Sequence, residues 1–521
     1  MKKIISLLIA FTIASPAIFA QKNYTWAQKR KLNEANYLFD LTDYHSALGI
    51  YNELYQIDSL WPELNHRIGV CIFESSREKL QALNYFEKAS AGDFTEAHYY
   101  LARCYHLQSK FNNAISLYLK YKNDNDVLKV SLEELDRLIK ISERAKQMTA
   151  NPISVKIENL SKKINTQYAE YVPVISADES MLIFTSRREG STGGLLDPYG
   201  QFFEDIYISM MENDEWTAAK NIGTTINDET HNACAGLSSD GNILITYKTN
   251  KELTGGDLYW SELNEGQWST PVKYPNKINS QFQEPSASLT ADGNILYFSS
   301  NRPSGYGGKD IYRVVKFANG EWSFPVNLGP PVNSSFDDDA PFIHPDGKTL
   351  YFSSRGHQTM GGYDIFKSTL VEENKWSGPE NLGFPINTVD DDIYFVISAN
   401  GKRGYYSSNK EDGFGSQDIY VINLEEEHKP VVRGVILSAD SAQKPLKAKI
   451  TLIDTQKNQI IGIYRSNTLT GKYILVLSLG INYQMFVEAA GYNSQTEYIK
   501  FNIEDTPKEA YMEIKLGPIK K

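Results

Sequence analysis

One tripeptide recurs five times in the middle of this chain at a nearly constant interval, and no other feature constrains the fold as strongly. Asp, then Ile or Leu, then Tyr or Phe begins at residues 205, 257, 310, 364 and 418, so the spacings are 52, 53, 54 and 54. An Asp-Gly or Asn-Gly turn lies upstream in four copies, and a Trp follows four of them, at Trp216, Trp268, Trp322 and Trp376. A supersecondary unit of constant length is therefore repeated.

Short alternating segments broken by Gly and Asn/Asp turns predict small antiparallel sheets in this unit. Radial repetition of such sheets removes long unpaired edges, so residues 151–425 are predicted to form a five-bladed β-propeller. Only four copies carry the Trp strand. The missing outer strand is expected from Ile153 to Leu160, because Asn159-Leu160 and Ile164-Asn165 match the linker that follows each Trp. This strand should pair with Asp418 to Leu424 and close the ring.

The repeated Asp occurs in every unit, which favours a structural role over a catalytic one. An Asp carboxylate can accept hydrogen bonds from backbone amides across the Gly-rich loop before it, as in an Asx turn. The alternative is that one of the five is a catalytic Asp.

A second repeated position lies just ahead of the first strand of each unit. It is acidic in four units of five, and its members are Glu170, Asn232, Glu284, Asp338 and Asp392. If these side chains meet at the axis, they form an acidic channel mouth that binds a ligand or Ca²⁺. Alternatively, each one caps a turn within its own unit.

The first unit carries an insertion, since Asp178 and Asp205 are 27 residues apart where the other units have 17 or 18. The insertion is rich in apolar and aromatic residues, including Leu195, Leu196, Tyr199, Phe202 and Phe203. Aromatic side chains are favoured at protein interfaces, so one expectation is contact with a partner protein. The other is packing against a neighbouring part of the chain.

Residues 21–150 have a helical apolar period that repeats. Small residues are paired twelve positions apart, and each second member is followed four positions later by an aromatic residue; the pairs are Ala35 and Ala47, Val70 and Ala82, and Ala102 and Ala114. This pattern predicts three helical repeats of about 34 residues each, with Leu132 to Lys146 as a capping helix. An ordinary helical bundle is the alternative.

The two ends of the chain differ from the repeats. Residues 1–20 carry Lys2 and Lys3, an apolar run and small residues before Gln21, which predicts a secretory signal peptide. Residues 430–521 contain short alternating segments separated by Gly turns, which predict a β-sandwich. Cys71, Cys104 and Cys234 provide neither a disulfide framework nor a metal-ligand pair.

Charge and motifs exclude several classes of function. Asp and Glu number 64 against 53 Lys and Arg, so the net charge of −11 disfavours nucleic-acid binding. After the signal peptide, no apolar run is long enough to span a membrane. Phosphate-loop, zinc-protease and serine-hydrolase motifs do not occur, so neither an enzyme nor a cofactor is expected.

Three families are recognisable. The helical region resembles tetratricopeptide repeats, and the unit that contains Ser299-Ser300-Asn301-Arg302 and Gly307-Gly308-Lys309-Asp310-Ile311-Tyr312 resembles TolB-like (WD40-like) propeller repeats. The second unit departs from this core at Lys248 to Lys251, so its turn is expected to pack differently. The C-terminal region resembles carboxypeptidase regulatory-like domains.

The order of these parts is similar to periplasmic proteins of the type IX secretion and gliding machinery of Bacteroidetes, but without their OmpA-like C-terminal domain. The resemblance implies a non-enzymatic periplasmic scaffold, associated with the outer membrane, that binds envelope or secretion-system proteins through its helical groove and a propeller face. Contact with peptidoglycan would be indirect. The alternative is a propeller that binds a glycan or another envelope fragment.

Overall fold

The structure is a computed structural model of the 521-residue chain, and it describes residues 24–75, 78–124, 129–197, 200–410, 412–424, 429–501 and 509–519. The predicted signal peptide and Tyr199 lie outside these ranges. The chain divides into two compact units, residues 1–140 and 141–521.

The first unit is helical. Each helix contacts the next along the chain, and the order is α1 Trp26–Asp40, α2 Tyr44–Tyr55, α3 Pro62–Ser75, a 3₁₀ turn Lys79–Ala82, α4 Leu83–Ala91, α5 Ala97–Leu107, α6 Phe111–Asn123 and α7 Leu132–Ala150, which runs across the unit boundary. The small residues of the repeat are buried, and so are Tyr51, Phe86 and Tyr118. Gly69 shows why small residues are needed, because a Cβ there would collide with the ring of Phe86. In this described part of the chain, no helix is both long enough and apolar enough to span a membrane.

The second unit begins its β-structure with β1 Val155–Asn159 and continues with five antiparallel sheets. The first sheet contains β2 Glu170–Ile175, β3 Met181–Ser186, β4 Asp205–Glu212, β5 Glu215–Trp216 and β6 Lys220–Asn221. The second contains β7 Asn232–Leu237, β8 Ile243–Thr249, β9 Gly256–Asn264, β10 Gln267–Trp268 and β11 Val272–Lys273. The third contains β12 Ala287–Leu289, β13 Ile295–Ser300, β14 Asp310–Val315 and β15 Val326–Asn327.

The fourth sheet contains β16 Asp338–Ile343, β17 Thr349–Ser354, β18 Asp364–Glu372, β19 Lys375–Trp376 and β20 Glu380–Asn381. The fifth contains β21 Ile393–Ile397, β22 Arg403–Ser408 and β23 Asp418–Leu424, and its outer strand is β1. β1 pairs with β23 in antiparallel register from Val155 opposite Leu424 to Asn159 opposite Tyr420. The pairing that the sequence predicts for this segment is therefore confirmed.

The first strands of the five sheets contact one another in cyclic order, β2 to β7, β12, β16, β21 and back to β2. Each junction between neighbouring sheets has its own apolar core; Ile183 and Ile206, for example, pack with Cys234 and Leu244 between the first and second sheets. We call residues 155–424 the five-sheet body.

The C-terminal domain, residues 429–519, contains two sheets with one shared apolar core. Its strands are β24 Val431–Ser438, β25 Ala448–Asp454, β26 Gln459–Arg465, β27 Lys472–Val476, β28 Asn482–Ala489, β29 Gln495–Lys500 and β30 Glu509–Leu516. One sheet has the order β27-β24-β30, with β24 and β30 parallel, and the other has the order β26-β25-β28-β29.

Candidate functional site

The five-sheet body has two opposite ends, because the strands of each sheet are antiparallel. We call one end the turn face; it consists of the turns between first and second strands, at residues 176–180, 238–242, 290–294, 344–348 and 398–402. The other end is the loop face. It consists of the connections from second to third strands and the connections that enter each first strand.

The C-terminal domain contacts all five turns of the turn face. The apolar contacts are between Ala177 or Ala399 and a cluster of Val431, Ile474 and Val476. Polar contacts join the other turns: Asn467 Nδ2 donates to Asp240 O at 2.9 Å, Arg465 Nη1 donates to Asp292 O at 2.8 Å, and Lys429 pairs with Asp346. The turn face is thus covered by the C-terminal domain of the same unit.

The body's axis is lined mainly by apolar residues, together with Ser286 and Ser288, and not by acids. The axial cavity is bounded by all five first strands, including Val174, Leu237, Ala287, Phe342 and Val396. Its free volume is about 30 Å³, enough for a water molecule and far below the size of a typical ligand pocket. The wall bulges at Val172, Ala340 and Tyr394, which all have positive φ, between 51° and 63°.

The structure buries all five of the predicted channel-mouth residues completely: Glu170, Asn232, Glu284, Asp338 and Asp392 are each 0% exposed. They do not line the axial cavity. Glu284, for instance, accepts hydrogen bonds from Ser280 N at 3.0 Å, Ser280 Oγ at 2.7 Å and Ser300 Oγ at 2.7 Å. Thr388 and Ser408 bind Asp392 in the same way. These are the contacts expected of a residue that caps a turn within its own unit.

Basic side chains, which the sequence reasoning did not identify, also lie close to these positions. Arg188 and Arg302 each lie 3.2 Å from the glutamate of their own sheet and donate to the carbonyl oxygen of Ile164 or Ile278 at 2.7 Å. In the second and fifth sheets Lys248 and Lys410 donate to the equivalent linkers. In three sheets the sequence has a basic residue two positions after a Ser, at Arg188, Arg302 and Lys410, whereas Lys248 of the second sheet stands at the Ser position itself.

Burial raises the pKa of the two aspartates of this set. Loss of solvent raises the pKa of Asp338 to about 7, although Ser354 and Ser334 oppose the shift. Burial likewise raises the pKa of Asp392 to about 7 against the charge of Lys410. Within the described residues, no three His, Cys, Asp or Glu side chains come together as a metal site, so the Ca²⁺ expectation gains no support from the geometry.

The repeated Asp of the tripeptide has the contacts predicted for a structural residue. Asp418 accepts hydrogen bonds from Phe414 N at 2.7 Å, Gly415 N at 3.1 Å and Asn159 Nδ2 at 2.7 Å. Asp205, Asp310 and Asp364 have equivalent partners. Asp257 differs, because it pairs with Lys273. The second unit does depart from the others here, and Gly255 in its loop has open space around it.

The insertion of the first unit packs against the body through its two phenylalanines. Phe203 stacks on His231 with 3.8 Å between ring centroids, and Phe202 meets Tyr168 edge-on at 5.8 Å. Beneath them Glu204 pairs with Arg187 and His231. Burial, with the charge of Arg187, lowers the pKa of His231. Phe202 and Phe203 therefore pack against a neighbouring part of the chain, which was the second expectation for this insertion.

The loop face also carries exposed apolar side chains. They come from four of the five second-to-third connections and from one connection that enters a first strand, and they are Leu195, Leu196, Leu253, Tyr306, Phe336 and Phe414. In the fourth sheet the corresponding connection is covered, because Arg144 donates to Thr359 O and Met360 is fully buried. Sequence reasoning identified Leu195 and Leu196 of this set but not the others, which lie singly in ordinary loops.

Comparisons with known proteins do not identify a family for this chain. No protein-family model and no curated protein matches the chain. Among solved structures, an α-L-arabinofuranosidase from Lactobacillus brevis is similar at 13% identity and TM-score 0.34, covering 50% of this chain and 91% of that one. A glycosyl hydrolase from Bacteroides ovatus has 11% identity and TM-score 0.33, covering 49% and 84%. An α-L-arabinanase from Penicillium chrysogenum has 12% identity and TM-score 0.32, covering 53% and 100%. These values are too low to carry an argument about fold or function.

Proposed function

We propose that this protein is a non-enzymatic scaffold of a bacterial envelope complex, located in the periplasm and associated with the outer membrane. In this proposal the helical unit is a tetratricopeptide solenoid, the five-sheet body is a five-bladed TolB-like propeller, and the C-terminal domain is a carboxypeptidase regulatory-like sandwich. The cyclic contacts of the five first strands and the β1–β23 pairing support the propeller assignment. In this proposal, the similarity of the domain order to that of type IX secretion and gliding proteins supports a role in one of these machineries.

One observation carries the scaffold proposal: the two ends of the five-sheet body differ. The turn face is occupied by the C-terminal domain of the same chain, whereas the loop face presents exposed aromatic and aliphatic side chains around a closed axis. Exposed Tyr, Phe and Leu grouped on one face are typical of a protein-binding surface. Since the axis holds only about one water molecule, a partner would bind across the face rather than inside it.

Photo-crosslinking in intact cells tests this proposal. A photoreactive amino acid at Tyr306 or Phe414, both exposed on the loop face, should form adducts with envelope proteins that mass spectrometry can identify. The same amino acid at Lys457, exposed in a turn of the C-terminal domain, is the matched control and should give no such adducts. Equal labelling from all three positions, or none from the loop face, would contradict the proposed docking surface.

A second candidate function, recognition of a glycan from the envelope, is favoured by a separate observation. A cavity of about 490 Å³ lies between the second and third sheets, and three aromatic side chains contribute to its wall. This volume is within the usual range for small-ligand pockets, unlike that of the axial cavity. Recognition would then occur at the side of the body and not at its axis.

A further inference from the structure

The aromatic cavity arises from a residue that distinguishes the second repeat from the other four. The position after the tripeptide holds Trp260 in the second sheet, and Ile208, Arg313, Lys367 or Val421 in the others. Because side chains alternate along a strand, Trp260 lies on the opposite face from the repeat's Tyr. It is half-buried and packs at the edge of the core between the second and third sheets.

Trp260 has two aromatic neighbours in the cavity wall that are held rigidly. Trp322 is 9% exposed and Tyr274 is 4% exposed, and their ring centroids are 6.1 Å apart at an interplanar angle of 60°. Lys316 Nζ lies 5.6 Å from the centroid of the Trp322 ring. The apolar part of the cavity is therefore formed before any ligand arrives, which reduces the entropic cost of binding.

The cavity also contains polar groups without partners. Glu262 and Glu321 line it, and within the described residues neither carboxylate takes part in a hydrogen bond or an ion pair. The indole N–H of Trp260 likewise has no acceptor there. A ligand that fits this wall must therefore offer a flat apolar surface to the aromatic rings and several hydrogen-bond donors to the acids.

We propose that this cavity, formed by Trp260, Tyr274, Trp322, Glu262, Glu321 and Lys316, is a binding site for a neutral pyranose saccharide. The proposal rests on the second candidate function and specifies its location and ligand class. A pyranose ring has a C–H face that packs on an indole and hydroxyl groups at its edge that donate to carboxylates. An aromatic peptide side chain would fill the apolar wall but would make no hydrogen bond to either carboxylate, of which Glu321 is exposed and Glu262 partly buried.

The junction between the fifth and first sheets provides an internal comparison. It has a cavity of about 420 Å³ with Trp216 and Tyr405 in its wall, but Val421 replaces the Trp260 position. Two of its charged pairs are Arg403 with Glu179 and Lys163 with Glu215, each at 2.7 Å, whereas Asp214 in the same wall has no hydrogen bond or ion pair within the described residues. The matched cavity therefore lacks the third aromatic side chain and has one free carboxylate where the Trp260 cavity has two.

Isothermal titration calorimetry of the full chain with cellobiose, maltose and N,N′-diacetylchitobiose tests the assignment. We expect at least one of these probes to bind with millimolar affinity, and Trp260→Ala to weaken that binding at least about tenfold. Glu262→Gln should weaken it by a smaller factor. Val421→Ala, at the equivalent position of the fifth sheet, should leave it unchanged, and circular dichroism establishes that each variant is folded.

The outcomes separate the proposals. If no probe binds, both the site and the glycan-binding function are wrong. If a probe binds equally to wild type and Trp260→Ala, the function stands and the site assignment is wrong. Displacement of the sugar by N-acetyl-tyrosinamide at equal concentration would overturn the saccharide class. The scaffold proposal is judged independently, because crosslinking from Tyr306 should persist in the Trp260→Ala variant.

Discussion

One buried Asn in each sheet joins the linker after the outer strand to the third strand of that sheet. The Asn of each Ile-Asn or Val-Asn pair binds both backbone groups of one residue in a third strand. Asn333, for example, accepts a hydrogen bond from Ile311 N at 2.8 Å and donates one to Ile311 O at 2.9 Å. The same two bonds recur at Asn165, Asn227, Asn279 and Asn387. A buried side-chain amide thus completes the strand ladder where the outer strand is short.

The buried aspartates predict a specific dependence of stability on pH. The pKa of Asp392 is raised to about 7 by burial, so the folded protein keeps a proton that the unfolded chain loses near its ordinary value of 3.8. The stability from this group is fully present below that value and is lost as the pH rises through about 7. We expect Asp392→Asn to remove this fall, with an effect on the order of 2–4 kcal/mol between pH 4 and pH 8.

Denaturant titrations at several pH values measure the effect as a change in the free energy of unfolding. Asn232 occupies the equivalent position in the second sheet, fully buried, so an amide is compatible with this turn. Asp412→Asn, in a described loop of the same sheet, is the control and should retain the wild-type pH profile. A parallel decline with pH in wild type and Asp392→Asn would show that Asp392 is not the group responsible.

At the scale of the element, β1 is the outer strand of a sheet whose other strands lie far along the chain. Asn165 reinforces this pairing, since it binds both backbone groups of Ile419 at 2.9 Å across a separation of 254 residues. Asn227 makes the same pair of bonds to Ile206, but within one repeat. Substitution of Asn165 or of Asn227 therefore distinguishes an effect on closure of the ring from an effect on the stability of a single sheet.

We expect Asn165→Ala to loosen β1 selectively. The loss of two buried hydrogen bonds should lower the free energy of local opening by about 1–3 kcal/mol, so amides of residues 155–159 should exchange with solvent faster. Hydrogen–deuterium exchange by mass spectrometry measures this directly. Asn227→Ala, which removes the same bonds inside the first repeat, should leave exchange in β1 as in the wild type. The same acceleration in both variants would indicate global rather than local destabilisation.

The sequence predicted those elements that repetition specifies. The phase of the five tripeptides, the missing Trp strand and the Asn159-Leu160 linker were enough to locate β1 and its partner strand, and the contacts of Asp418 were predicted from its recurrence. The direction of the acidic side chains was not predictable. A residue just ahead of a strand has the same sequence context whether it points to an axis or caps its own turn, as Glu284 does.

At the scale of the whole second unit, the C-terminal domain covers an end of the five-sheet body through residues that do not repeat. Glu509 accepts from Asn400 at 3.0 Å and pairs with Lys402 at 2.8 Å. Nothing in the local sequence of Glu509, Arg465 or Asn467 marks these residues as interface residues. The sequence therefore predicted β-structure in both the five-sheet body and the C-terminal domain, but it did not predict which face of the body the C-terminal domain covers.

This interface should be sensitive to acid. Burial acts to raise the pKa of Asp346, but His344 and Lys429 outweigh it and hold the pKa well below its usual value. Lys402, Asn400 and Arg433 likewise outweigh burial and lower the pKa of Glu509. A lowered folded pKa contributes stability that is present above the unfolded values of 3.8 and 4.5 and is lost as the pH falls below them.

We therefore expect the C-terminal domain to separate from the turn face below about pH 4 before the five sheets unfold. Calorimetry should show one transition at neutral pH and two in acid. Glu509→Gln should reduce the difference between the two conditions, whereas Glu513→Gln, exposed on the same strand, should not. A single transition at every pH would mean that the charged contacts do not control this interface.

The closing strand has a consequence for the synthesis of the chain. β1 leaves the ribosome early, but the partner it pairs with, β23, follows only after four complete sheets have been made. Until then one β-edge at each end of the growing arc lacks its neighbour, and unpaired edges favour aggregation. A chaperone that shields the waiting strand would protect the chain during this interval.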